Sequence, residues 1–148
     1  MLQKNCMPRV YVNSNVFISL IQSEFGRNLE FMDLRSIEFM NTSFDCKYTM
    51  VVSDLVIAEF CQITRLDESD FMALFDKNPK KLEVQRITQK DIDFSKKIVT
   101  KFVKGIKDAR HAASAIHNHC KFICTWNVKD FKKLERKYDI LVRRPEEL

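Results

Sequence analysis

Four places in this chain put an acidic or amide side chain beside a strand end or a helix start. Asn13 closes the apolar run Val10, Tyr11, Val12, and Glu59 lies in a helical stretch that opens near Ser53. Asp108 opens the Ala-rich segment KDARHAASAI, and Asn127 with Asp130 opens the stretch after FICTW. Carboxylates brought together repel one another unless a cation sits among them, and oxygen donors of this kind suit Mg2+ or Mn2+. Such a site activates water and offsets charge on phosphate, which is the chemistry of phosphodiester hydrolysis. Singly, each residue also has a structural use. Asn127 and Asp130 have the spacing of a capping box, Asp108 suits the positive end of a helix, Asn13 suits a cap, and Glu59 an exposed or paired helix position. Their order along the chain favours chemistry, because in a parallel sheet the strand ends and the following helix starts share one edge.

The elements that must do this positioning alternate. Strand-like runs fall at 10–12, 49–52, 82–87, 122–126 and 140–142. Between them the apolar spacing predicts helices at 15–21, from Ser53 onward, over ESDFMALF, at 89–104, from Lys107 onward and at 128–138. Phe25, Leu29, Met32, Phe39 and Met40 recur at helical spacing through residue 43, and Gly105 reads as the stop of the 89–104 helix. On 82–87, Leu82, Val84 and Arg86 are placed on one face. Strands alternating with helices predict an α/β fold with a parallel sheet covered on both faces.

The chain has 148 residues, which predicts one domain, with Met7 as an alternative start and the residues ahead of it an N-terminal extension. No apolar run is long enough for a signal peptide or a membrane span, so the expectation is a cytoplasmic protein without membrane contact. Five cysteines, odd in number and without CxxC, read as buried or surface thiols in a reducing compartment. Charge is unevenly placed: residues 1–74 carry a net −4 and residues 75–148 a net +9. A basic half on a small domain suggests a polyanionic partner, with RNA or DNA ahead of membrane. GxGxxG, GxxxxGK[ST] and GxSxG are all missing, which removes support for a nucleotide cradle or a nucleophile elbow. His117 and His119 point about 200° apart on a regular helix and cannot share a metal, so the histidines are taken as solvent-exposed imidazoles.

The segments VYVNSNVFI, VSDLVIAEF, IKDARHAASAI and CTWNVKDF together resemble the PIN-domain ribonucleases, including the VapC-like toxins of toxin–antitoxin pairs. The resemblance runs from Arg9 to about Val142. It implies a three-layer α/β/α fold with a five-stranded parallel sheet, and acidic residues that bind Mg2+ or Mn2+ to cut RNA. It makes Glu59 the helix glutamate, Asp108 the central metal-binding aspartate, Asp130 (with Asn127 beside it) the last acidic position, and Thr125 the supporting hydroxyl. Lys104, Lys107, Arg110 and Lys129 would steer phosphate toward the pocket. A homodimer and an antitoxin partner are implied too, with apolar residues of 25–43 and 53–75 as the contact. Asn13 stands where the family carries its first aspartate. An amide there offers a carbonyl oxygen but one negative charge fewer, and it cannot act as a base. It is either a natural degeneration of the site or an isosteric replacement that silences a nuclease harmful to its host. The reading from another class is a non-catalytic RNA- or protein-binding module that kept the fold and lost the site.

Overall fold

A computed structural model of the chain describes residues 7–21, 48–75 and 81–148. The helical spacing over 25–43 lies outside these residues, and so does Asn78-Pro79, which the sequence predicts as the close of the ESDFMALF helix. β1 (Arg9–Val12) leads into α1 (Ser14–Ile21), and β2 (Thr49–Ser53) into α2 (Asp54–Thr64) and α3 (Glu68–Ala73). β3 (Leu82–Gln85) is followed by α4 (Gln89–Ile98) and α5 (Ile106–His117). β4 (Phe122–Cys124), the short α6 (Val128–Phe131) and β5 (Leu141–Arg143) complete the order. The strands form one five-stranded sheet in the order β3-β2-β1-β4-β5, and every pairing is parallel. Together with its helices this is a three-layer α/β/α fold.

The order reverses direction between β1 and β4. Chain connections leave to opposite sides there, which opens a crevice beyond the carboxyl ends of those two strands. Val10, Tyr11 and Val12 of β1, with Ile123 and Cys124 of β4, are buried, as central strands of a covered parallel sheet should be. Against the sheet, Phe17 of α1, Phe60 of α2, Phe71 of α3 and Phe75 form an edge-on aromatic cluster with centroids 5.0 to 5.9 Å apart. That cluster fixes α1, and so the turn at Asn13, to the core.

Several boundaries differ from the sequence expectation. The 89–104 helix stops at Ile98, because Val99 turns extended and Thr100 adopts a left-handed backbone (φ 69°). The β-branched run Ile98, Val99, Thr100 is a poor helix continuation, and the turn lets Val103 bury beside Ile98. Gly105 is therefore the N-cap of α5 instead of a helix stop. The 128–138 helix is α for one turn and then 3-10 over Lys132–Arg136. Val84 is 45% exposed, since β3 is an edge strand. The expectation of exposed imidazoles is corrected as well: His111 is 1% exposed and His117 is half-buried against Asp91, which leaves only His119 on the surface. Among the described residues no helix is long and apolar enough to cross a membrane.

Candidate active site

The crevice at the switch point is built from the chain turns after β1 and β4. The Asn13 backbone N–H donates to the Cys124 carbonyl at 3.0 Å, extending the β1–β4 ladder by one residue. The buried Asn13 side chain is oriented by a donor that cannot be reversed, the Ser14 backbone N–H, which gives 2.8 Å to Oδ1. Nδ2 is thereby turned to the Thr125 hydroxyl at 3.2 Å. Asn15 is fixed in the same way: Oδ1 accepts from the Trp126 N–H at 3.2 Å, and Nδ2 donates to Thr125 Oγ1 at 3.0 Å. The Asn127 N–H reaches the same hydroxyl at 3.1 Å. Thr125 is thus the post around which both turns are tied.

Glu59 reaches this edge from α2. Its Oε1 accepts from Ser14 Oγ at 2.7 Å and from His111 Nε2 at 2.9 Å. A carboxylate only accepts, so Nε2 of His111 carries the hydrogen. On the other side of the ring, Nδ1 meets the Tyr11 hydroxyl at 2.7 Å, and that hydroxyl meets Ser53 Oγ at 2.7 Å. Burial pushes the Tyr11 phenol far above its ordinary range, so it stays a neutral O–H. Burial alone would raise the Glu59 carboxyl, but the hydrogen bonds from His111 and Ser14 and the Lys107 charge outweigh it and hold it below its ordinary 4.5.

Asp108, in the first turn of α5, behaves oppositely. Its carboxyl is raised above its ordinary value first by burial and then by the negative charges of Asp130 and Glu59, against a lowering pull from His111. Asp108 therefore feels both other carboxylates across the crevice, although no hydrogen bond ties them. Asp130, in the single turn of α6, lines a pocket of about 320 Å3 with Lys104, Lys129 and Lys133. The four expected steering cations separate: Lys104 and Lys129 stand beside Asp130, and Lys107 acts on Glu59. Arg110 instead lines a different depression with Asp54, Leu55, Ala58 and Ile87. Tyr11, Ser14, Asn15, Ser53 and His111 are parts of the site that sequence reasoning did not single out.

Among the described residues no three His, Cys, Asp or Glu side chains form a group that could hold a metal. The set at the crevice is two mutually repelling carboxylates, Asp108 and Asp130, with the Asn13 amide oxygen near the turn. Hard oxygen donors of this kind suit a divalent cation of the Mg2+ or Mn2+ type, and the charges of Asp130 and Glu59 add to the burial that raises Asp108. The set supplies one charge fewer than three carboxylates would.

A raised carboxyl pKa means that the folded state is penalised by ionisation, and the penalty disappears as pH falls through the folded value. Asp108→Asn is accordingly expected to raise Tm at neutral pH. The difference from the parent should shrink as pH falls through the raised folded value and be gone below 3.8, the ordinary aspartate value. Thermal unfolding of both proteins across pH checks this, and a lower Tm for the variant at pH 7 would contradict it.

A family model described as PIN domain matches residues 10–137. Among solved structures, FitAcB from Neisseria gonorrhoeae is similar over 94% of this chain and 99% of that one, at 12% identity and a TM-score of 0.63. DNA-bound VapBC from Salmonella typhimurium is similar over the same shares, at 17% identity and a TM-score of 0.60. Mycobacterium tuberculosis VapC20, a Sarcin-Ricin loop cleaving toxin, is similar over 77% of this chain and 86% of that one, at 11% identity and a TM-score of 0.54. Among curated protein sequences none matches.

Proposed function

The chain belongs to the PIN domain family, and from that premise we propose that it is a metal-dependent endoribonuclease of the VapC toxin type whose activity Asn13 weakens or removes. The observation that carries this is Asp108: a half-buried carboxyl, raised by burial and by Asp130 and Glu59, at the switch point of a parallel sheet. Asp108 and Asp130 would hold Mg2+ or Mn2+, with the Asn13 oxygen a weak third ligand. When bound there, such an ion would supply a more acidic water and offset charge on the scissile phosphate. Glu59, with Oε1 occupied by His111 and Ser14, orients the attacking water through its other oxygen. Lys104 and Lys129 draw the phosphate toward Asp130. Thr125 and Asn127 keep the β1 and β4 turns in register with one another.

The likeness to VapBC supports an antitoxin as a protein partner, and that to VapC20 supports a structured RNA as substrate. A homodimer would use apolar surface such as Ile63 and Met72, exposed on α2 and α3. The second reading, a binding module without catalysis, is favoured by the hydrogen bonding of Asn13, whose Nδ2 donates to Thr125 where a carboxylate would place a second acceptor. Mn2+ binding tests the reading before any cleavage is sought. By calorimetry, Asn13→Asp should tighten Mn2+ binding about tenfold or more, and Asp108→Asn should remove it. Equal binding by all three forms would place the ion elsewhere.

A further inference from the structure

The Asp130 pocket does not end at the catalytic crevice. Thr100 and Phe102 form part of its wall, and the same two residues form part of the wall of an adjoining groove of about 620 Å3 that continues past Lys97, Lys101, Lys137 and Tyr138. The groove exists because α4 stops early. The left-handed turn at Thr100 carries the chain outward, and Phe102 then faces Tyr138 edge-on at 5.7 Å. Phe94 also packs edge-on with Tyr138, at 5.6 Å. The Lys137 ammonium lies over both the Phe102 and the Tyr138 ring, at 5.7 and 6.0 Å. Phe102 and Tyr138 are both partly exposed.

Lys97, Lys101 and Lys137 are exposed, and none of them pairs with a carboxylate among the described residues. A row of unpaired like charges repels itself and is relieved by a polyanion. Interleaved ring faces add a feature that phosphate does not need and an unpaired base does, since every base has a π-face to stack. We infer that this groove is a subsite for single-stranded RNA, which leads the strand flanking the cut away from Asp130 across Phe102 to Tyr138. An acidic protein segment would use the lysines but has no use for the rings. The inference rests on the ribonuclease reading and extends it to residues outside the catalytic crevice.

The test measures anisotropy of labelled oligouridines of about 4 and about 12 nucleotides in EDTA, so that binding is separated from cutting. The protein should bind the long oligomer roughly tenfold tighter than the short one, and an abasic oligomer of the same length roughly tenfold weaker than the long one. The triple variant Lys97→Gln, Lys101→Gln, Lys137→Gln should bind the long oligomer no better than the short. Its log–log salt slope should be smaller by about 2, from the charges no longer neutralising phosphate. Unchanged affinity and slope in the triple variant would overturn the subsite. So would abasic RNA or polyglutamate binding as tightly as oligouridine, and the polyglutamate result would assign the groove to an acidic protein. Failure of the parent to bind either oligomer at low salt would overturn the ribonuclease reading as well. If Asn13→Asp cuts RNA while the triple variant binds like the parent, the subsite alone fails.

Discussion

Asn13→Asp is expected to speed cleavage of RNA about a hundredfold in the presence of Mg2+ or Mn2+, if the missing charge is worth ~3 kcal/mol in the transition state. The exchange hardly changes side-chain volume. One oxygen keeps the Ser14 N–H, and the other replaces an N–H2 group with an acceptor beside the Thr125 hydroxyl. Because the position is buried, the added charge attracts a cation across a medium that screens less than water. Cleavage of a mixed pool of structured and single-stranded RNA by both forms at equal concentration reads the effect. The gain should vanish in EDTA and again when Asp108 is changed to Asn. Cutting by the parent at the reverted rate would show that position 13 is not a ligand that matters. Negligible cutting by both, with a known substrate in the pool, would support the binding module.

The largest loss of stability is expected from His111→Ala, at about 3 to 5 kcal/mol, or roughly 10 °C in Tm. The substitution empties a fully enclosed position in α5 and takes one of two hydrogen-bond partners from a group on each side of the ring. Tyr11 loses the ring nitrogen that partners its hydroxyl, and Glu59 loses a donor that helps hold its carboxyl down. The lost hydrogen bonds cost about 1 kcal/mol each, more for the one to the charged Glu59, on top of the cavity. His111→Gln, which can donate to Glu59, should lose less. A pH signature separates this from simple loss of packing. The lowered Glu59 carboxyl contributes stability that is complete above its ordinary 4.5 and is lost as pH falls through its folded value. Without His111 that value rises, so the acid limb of the stability profile should flatten. Urea unfolding between pH 3 and 7 measures both effects, and an unchanged acid limb would show that His111 acts by packing alone.

How much of this was legible in the sequence depends on how far apart the cooperating residues lie. Asn13, Asp108 and Asp130 could be singled out because strand ends and helix starts are local signals, and parallel topology brings such positions to one edge. The alternation of elements gave the sheet for the same reason. His111 carried no such signal. It sits on an Ala-rich helix face, and its partners Glu59 and Tyr11 are 52 and 100 residues away. Tyr11 itself reads as an ordinary strand residue, although its hydroxyl is buried and shared with Ser53. The early end of α4 was missed because Gly105 is a stronger local stop than a β-branched run. What ends the helix is the burial of Val103, a tertiary event.

The Thr125 hydroxyl receives three N–H groups, from Asn13, Asn15 and Asn127, at 3.0 to 3.2 Å. An oxygen so surrounded must send its own hydrogen away from all three. With aspartate at position 13 one of those donors becomes an acceptor, and the hydrogen turns back toward it. The sense of a buried hydrogen bond then reverses while the heavy atoms at its two ends stay where they are. Two forms of the protein with superimposable backbones would differ in the direction of one O–H vector, and so in the polarity that the pocket presents to whatever enters it.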